Sequence, residues 1–156
     1  MNAPAETLPT GIPSLDQTLG GIPRGAFTEI CGGACSGRTS LLLTLLAQAT
    51  TQLEACALID ATDSFDPASA AAAGVQLDRL LWVRCGGDVL HALTAADWLL
   101  HAGGFGVVAL DLADLPTAQV RRISLTSWYR CGAPWSTPGR RWWPWSPSRG
   151  PAPAPR

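Results

Sequence analysis

Hydrophobic positions fall into short dense blocks separated by longer segments of mixed character. Ala26–Cys31 predicts a strand that runs into a glycine-rich turn. Thr39–Gln52 follows, apolar almost all round through Leu41, Leu42, Leu43, Leu45, Leu46 and Ala47. That pattern predicts a buried helix. Ala55–Asp60 predicts a second strand. Pro67–Ala73 predicts a helix, with Asp66 as N-cap, Pro67 at the first helical position and Gly74 as the stop. Leu80–Arg84 reads as a third strand. Asp88–Ala102 reads as an amphipathic helix capped by Asp88 and closed by Gly103-Gly104. Gly106–Leu112 is the fourth strand and the most apolar. Near-continuous apolar strands spaced by helices predict an α/β fold whose mainly parallel sheet is covered on both faces.

The pattern stops after Arg130. Residues 131–156 hold seven prolines, four tryptophans and four arginines, with no Leu, Ile or Val. Such a segment is expected to form neither a sheet strand nor a packed helix. A proline-rich linker is one origin. Out-of-frame translation of a GC-rich gene is the other, and it accounts better for the cluster Trp142, Trp143 and Trp145. The expected organisation is a flexible stretch over 1–9, a partial folded domain over 10–130 lacking its last strands, and a frameshifted, disordered tail over 131–156. Loss of the last strands would bare a sheet edge and apolar surface, so self-association is expected.

Composition narrows the reading. The 156 residues suffice for one domain with a real core, and at 47% hydrophobic and 15% charged the chain is globular. The net charge of −1 is no basic footprint for nucleic acid. It hides a split: residues 1–130 carry seven Arg against twelve acids, and residues 131–156 carry four Arg and no acid. Lysine is absent. No signal peptide opens the chain and no apolar run is long enough to span a membrane, so a cytoplasmic protein without membrane partners is expected. Cys31, Cys35, Cys56, Cys85 and Cys131 form no CxxC pair and no metal spacing, which predicts reduced thiols.

One segment carries chemistry. Gly32-Gly33-Ala34-Cys35-Ser36-Gly37-Arg38-Thr39 fits the frame G-x-x-x-x-G-K-[ST] with arginine in the lysine position. Backbone N–H groups of such a loop cradle phosphate oxygens, and the following helix points its N-terminus at the same anion. Gly32 through Ser40 are therefore candidates for binding the phosphates of ATP, with the Thr39 hydroxyl on Mg²⁺. Asp111, at the end of the last apolar strand, is the candidate acid that holds Mg²⁺ through water. Taken alone, an acid in that place serves as readily as a helix cap or a surface group.

Further motifs make the resemblance specific. Thr10–Thr39 resembles the entry segment of the RecA-like P-loop ATPases, through Thr10-Gly11, Ser14-Leu15-Asp16, Leu19-Gly20-Gly21 and Ile22-Pro23-Arg24-Gly25. Leu58–Pro67, reading Leu-Ile-Asp-Ala-Thr-Asp-Ser-Phe-Asp-Pro, resembles the bacterial stretch F-I-D-A-E-H-A-L-D-P, and Val107–Asp111 the Walker B strand. The resemblance covers roughly residues 8–130 and implies a RecA-like nucleotide-binding core.

The departures bear on mechanism. The family's phosphate-loop lysine falls on Arg38, which keeps the charge on a wider, planar group. Its catalytic glutamate falls on Thr62, a poor general base, and Asp63 would point to the opposite face of a strand. Its adenine-stacking tyrosine falls on Ser69, while Asp66 matches an acid that contacts adenine. No catalytic residue is therefore assigned. Among family members, the shortened and altered type resembles the ImuA-like accessory proteins of translesion synthesis. The resemblance implies a weakly catalytic or non-catalytic factor in DNA repair, recombination or the damage response. It would act beside other repair proteins, with single-stranded DNA contacted through parts missing here. The alternative is an active DNA-dependent ATPase of the recombinase class.

Overall fold

A computed structural model describes residues 6–123 and, as backbone, residues 142–146. Thr7–Leu8 (β1) pairs antiparallel with Ile22–Pro23 (β2), and Pro13–Leu19 (α1) lies between them. Ile30–Cys31 (β3) leads to Arg38–Thr51 (α2), then Cys56–Asp60 (β4) and Pro67–Ala72 (α3). A 3₁₀ turn at Leu77–Arg79 enters Leu80–Arg84 (β5), followed by Val89–Ala102 (α4), Val107–Asp111 (β6), Thr117–Arg121 (α5) and Trp142–Ser146 (β7). The main sheet runs β3-β7-β6-β4-β5, every pair parallel.

Strand alternation sorts the core into two layers. Cys56 and Leu58 of β4, with Val107 and Ala109 of β6, pack under α2 and α3 against Leu42, Leu45, Leu46, Ala70 and Val75. Ala57, Ile59, Val108 and Leu110 face the other way, onto Ala92, Leu93, Ala96 and Leu100 of α4 and Val120 of α5. β4 is buried throughout, and β6 through Leu110. This is the α/β core with helices on both faces that the pattern predicts.

Local signals explain the helix ends. Asp88 caps α4 by accepting the Leu90 N–H at 2.8 Å and the His91 N–H at 3.1 Å. Asp66 caps α3 by accepting the Ala68 N–H at 3.2 Å and the Ser69 N–H at 3.0 Å. Gly103 ends α4 at φ 69.

The structure differs from expectation at both ends. Within the stretch expected to be flexible, Leu8 is fully buried in the α2 layer and Thr7 pairs with Pro23. Within the stretch expected to lack strands, Trp142–Ser146 lies between β3 and β6. Pro144 supplies no N–H to that ladder, but tryptophan favours extended backbone, and both flanking strands have groups to satisfy. The rest of the expected tail, with Cys131, lies outside the described residues. Cys56 and Cys85 are buried and in no disulfide, whereas Cys31 and Cys35 are exposed. Burial pushes the Cys56 thiol up to about 12.

Candidate functional site

The glycine-rich segment forms the turn from β3 into α2. Gly37 is the N-cap of α2 at φ 83, a left-handed conformation that glycine takes without strain. Cys35 also has positive φ, at 58. A Cβ on Gly32 would collide with the Ser36 side chain, so the loop closes on itself there. Gly33, Ala34, Cys35, Ser36 and Gly37 are exposed, as are Thr39 and Ser40, which stand with the half-buried Arg38 in the first turn of α2. The Leu41 N–H donates to the Gly37 carbonyl at 2.9 Å, so the helix is regular from its cap.

Asp111 ends β6, two strands from β3 with β7 between them. Its carboxyl is pushed up to about 7, first by burial. A hydrogen bond from the Ala113 N–H, at 2.9 Å, opposes that rise, the charges of Asp60 and Asp114 reinforce it, and the Arg38 guanidinium opposes it.

Asp66 is exposed at the N-terminus of α3. Both its oxygens are engaged by α3 itself: Oδ1 takes the Ala68 N–H, and Oδ2 takes the Ser69 N–H and, at 2.5 Å, the Ser69 hydroxyl. These bonds hold its carboxyl below the usual carboxylate range, with the Ser69 hydroxyl the largest cause. The adenine position implied by the resemblance is here a cap with its acceptors in use.

The end of β4 holds a residue that sequence reasoning missed. Asp60 is fully buried and in register with Asp111 on the neighbouring strand. Its carboxyl accepts the N–H groups of Thr62, Ser64 and Phe65 and the Trp82 indole N–H. An acid closing an otherwise apolar strand, followed by Thr62-Asp63-Ser64, was the available signal. Asp63 lies beyond the end of β4, so strand alternation does not govern it. It sits at φ 59, with Arg84 on Oδ2 at 3.0 Å and the Gly86 N–H on Oδ1 at 3.3 Å. Thr62 is half-buried, and its hydroxyl lies 3.2 Å from that of Ser64.

A cleft of about 620 Å³ opens elsewhere, between the start of α4 and the end of α5, lined among others by Gly87, Leu90, Gln119 and Arg122. None of the candidate nucleotide- or metal-binding residues lines it. Among the described residues no three His, Cys, Asp or Glu side chains are grouped to hold a metal ion. No helix there is long and apolar enough to cross a membrane.

A parallel sheet flanked by helices, with a glycine-rich loop between a strand and a long helix and an acid ending a central strand, defines the RecA-like class of α/β domain. The chain belongs to the RecA family: the model of the RecA N-terminal domain matches residues 1–121. Protein RecA of Rickettsia bellii is 39% identical over 112 residues, 70% of this chain and 32% of that protein. Protein RecA of Saccharopolyspora erythraea is 39% identical over 122 residues, 76% and 35% of the two chains. Protein RecA of Methylococcus capsulatus is 42% identical over 108 residues, 68% and 31%. The chain thus spans about a third of the length of the curated relatives it matches.

Proposed function

We propose that this chain is a nucleotide-binding accessory factor of DNA repair or recombination, of the translesion-synthesis type, that binds ATP with Mg²⁺ and hydrolyses it weakly or not at all. The observation that carries the reading is the loop from Gly32 to Gly37, set between β3 and the head of the 14-residue helix α2. The glycines suit a phosphate: a side chain at Gly32 would fill the turn, and Gly37 opens the helix at positive φ. The loop's N–H groups and Arg38 would bind the phosphates, and Thr39 with Asp111 would hold Mg²⁺, partly through water. Bound Mg²⁺ supplies charge neutralisation on the phosphates.

The weak point is proton removal. Thr62 stands where the family has its glutamate, and a hydroxyl is a poor base at neutral pH. The turn carries no replacement, because its acid Asp63 is held by Arg84 and Gly86. DNA, repair proteins and further copies of this chain are the partners that family membership suggests, in the cytoplasm. The test is a titration of the full chain with a fluorescent ATP analogue, with and without Mg²⁺, beside a phosphate-release assay. Binding that needs Mg²⁺, with release near background, is expected. Robust turnover abolished by Asp111→Ala would establish the recombinase-class ATPase instead, and absence of binding by the folded chain would leave an interaction scaffold.

A further inference from the structure

We infer that Asp60 is a positioning residue of the nucleotide site, holding the turn that carries residue 62 in a fixed place beside Asp111. The inference rests on the nucleotide-binding reading above. Asp60 itself touches no ligand, being fully buried at the end of β4.

Its carboxyl gathers one turn around itself. Oδ1 accepts the Thr62 N–H at 3.3 Å and the Ser64 N–H at 3.1 Å, and Oδ2 accepts the Phe65 N–H at 2.9 Å. The fourth donor is the Trp82 indole of β5, at 3.2 Å from Oδ2. A buried carboxyl needs such donors. Here, however, three of the four come from residues 62–65, so satisfying the acid also dictates the turn. The backbone of Ala61 adds two anchors: its N–H donates to the Asp111 carbonyl at 3.1 Å, and its carbonyl accepts the Gly87 N–H at 2.6 Å.

The turn is one that would not hold by itself. Asp63 at φ 59 is in the left-handed region, which persists when surroundings over-determine it. The Asp60 carboxyl on one side and Arg84 on the other provide that determination. Trp82 is fixed in turn by the edge of Phe65, ring centroids 5.2 Å apart, and by Arg84 over its face at 5.1 Å. Residue 62 is thereby tied to β4, β5 and β6 at once, on the side of the sheet end where Asp111 stands.

A purely structural Asp60 would change stability and nothing else. A positioning Asp60 makes the effect of residue 62 on ligand depend on residue 60. The test is a double-mutant cycle on the full chain, reading the Kd of a fluorescent ATP analogue with Mg²⁺ and following each variant by thermal melting. Thr62→Glu, which adds a carboxylate at the turn, is expected to change the Kd about threefold or more when Asp60 is present, and by less than about 1.5-fold in an Asp60→Asn background. Trp82→Phe removes one donor without touching the turn's backbone, and is expected to reduce the Thr62→Glu effect partway; it serves alone if Asp60→Asn does not fold. Equal fold-changes with and without the Asp60 carboxylate, or with and without the indole, overturn the inference. So does a Thr62→Glu change without effect on a chain that binds nucleotide. A folded wild-type chain that binds no nucleotide overturns the reading beneath, and this inference with it.

Discussion

Asp60 and Asp111 stand in register at the C-terminal ends of adjacent parallel strands, and their surroundings give them different work. Asp60 is fully buried and holds four N–H donors. Asp111 is half-buried and takes the Ala113 N–H. The first shapes the turn beside it. The second has a single N–H donor from the turn after β6, and burial pushes its carboxyl up to about 7.

That shift has a signed consequence for stability. The carboxyl of Asp111 holds its proton in the folded chain up to about pH 7, and in the unfolded chain only to its ordinary value near 3.8. Between those values the folded state binds the extra proton, so stability falls as pH rises and levels off above about 7. Asp16, Asp66 and Asp88 are shifted downward by hydrogen bonds and act below that window, with the opposite sign. Urea unfolding at pH 5, 6, 7 and 8 is expected to show a falling midpoint that Asp111→Asn flattens. An unchanged slope in that variant would mean that Asp111 is ionised throughout.

The glycine-rich loop should be more sensitive at Gly32 than at Gly37. A methyl group on Gly37 meets nothing within 4 Å, so Gly37→Ala bears only the left-handed backbone, about 1–2 kcal/mol. A methyl group on Gly32 runs into Ser36 and must move the loop. Gly37→Ala is expected to lower the melting temperature while retaining nucleotide binding, and Gly32→Ala to lose binding more than stability. Equal loss of affinity in both would show that the loop is not closed by Ser36.

Asp66 offers a clean separation of two roles. As a cap it supports α3, and as a base contact it would touch adenine. With its oxygens engaged by Ala68 and Ser69, Asp66→Ala is expected to lower thermal stability and leave the ratio of ATP to GTP affinity unchanged. A loss of ATP preference on that change would assign it to the base.

The elements that could be seen in the sequence are those whose physics is local. Asp88 with its helix and Asp66 with Pro67 declare themselves through caps, and Leu80–Arg84 through an apolar run ended by charge. The pairing of Thr7–Leu8 with Ile22–Pro23 is two residues deep and held by long-range burial, which no window of the sequence contains. Trp142–Ser146 was obscured by Pro144 and the proline-rich sequence around it, since its place depends on the gap between β3 and β6 and not on its own pattern. The glycine-rich turn between β3 and α2 and the acid that ends β6 could be read from motif and context. Asp60 could not, because its role is defined by a turn four residues long and by an indole from another strand.

DNA contact, where it occurs, should be electrostatic. Seven Arg against twelve acids over residues 1–130 leave the four arginines beyond as the basic surplus. Single-strand binding by the full chain is expected to weaken with salt, with a slope of log affinity on log salt no steeper than about −3 for four contacts. Changing Arg140, Arg141, Arg149 and Arg156 to Gln should abolish it. Binding that survives both salt and those changes would place a DNA surface on the folded core.

Hydrolysis is the most discriminating case. The loop's N–H groups and the dipole of α2 do not depend on the side chain at position 38, so nucleotide affinity should survive Arg38→Lys. Turnover needs a base to orient water, and absence of one typically removes about 10²–10⁴-fold in rate. The wild-type chain and Arg38→Lys alone are therefore expected to release phosphate near background. Arg38→Lys with Thr62→Glu is expected to raise release above background, because the thinner lysine stem suits the loop and the glutamate supplies the base. Asp111→Ala in that double variant should remove the gain by loosening Mg²⁺. Release as strong in the wild type as in the double variant would mean that Thr62 is no handicap, and that water is activated by a group other than residue 62.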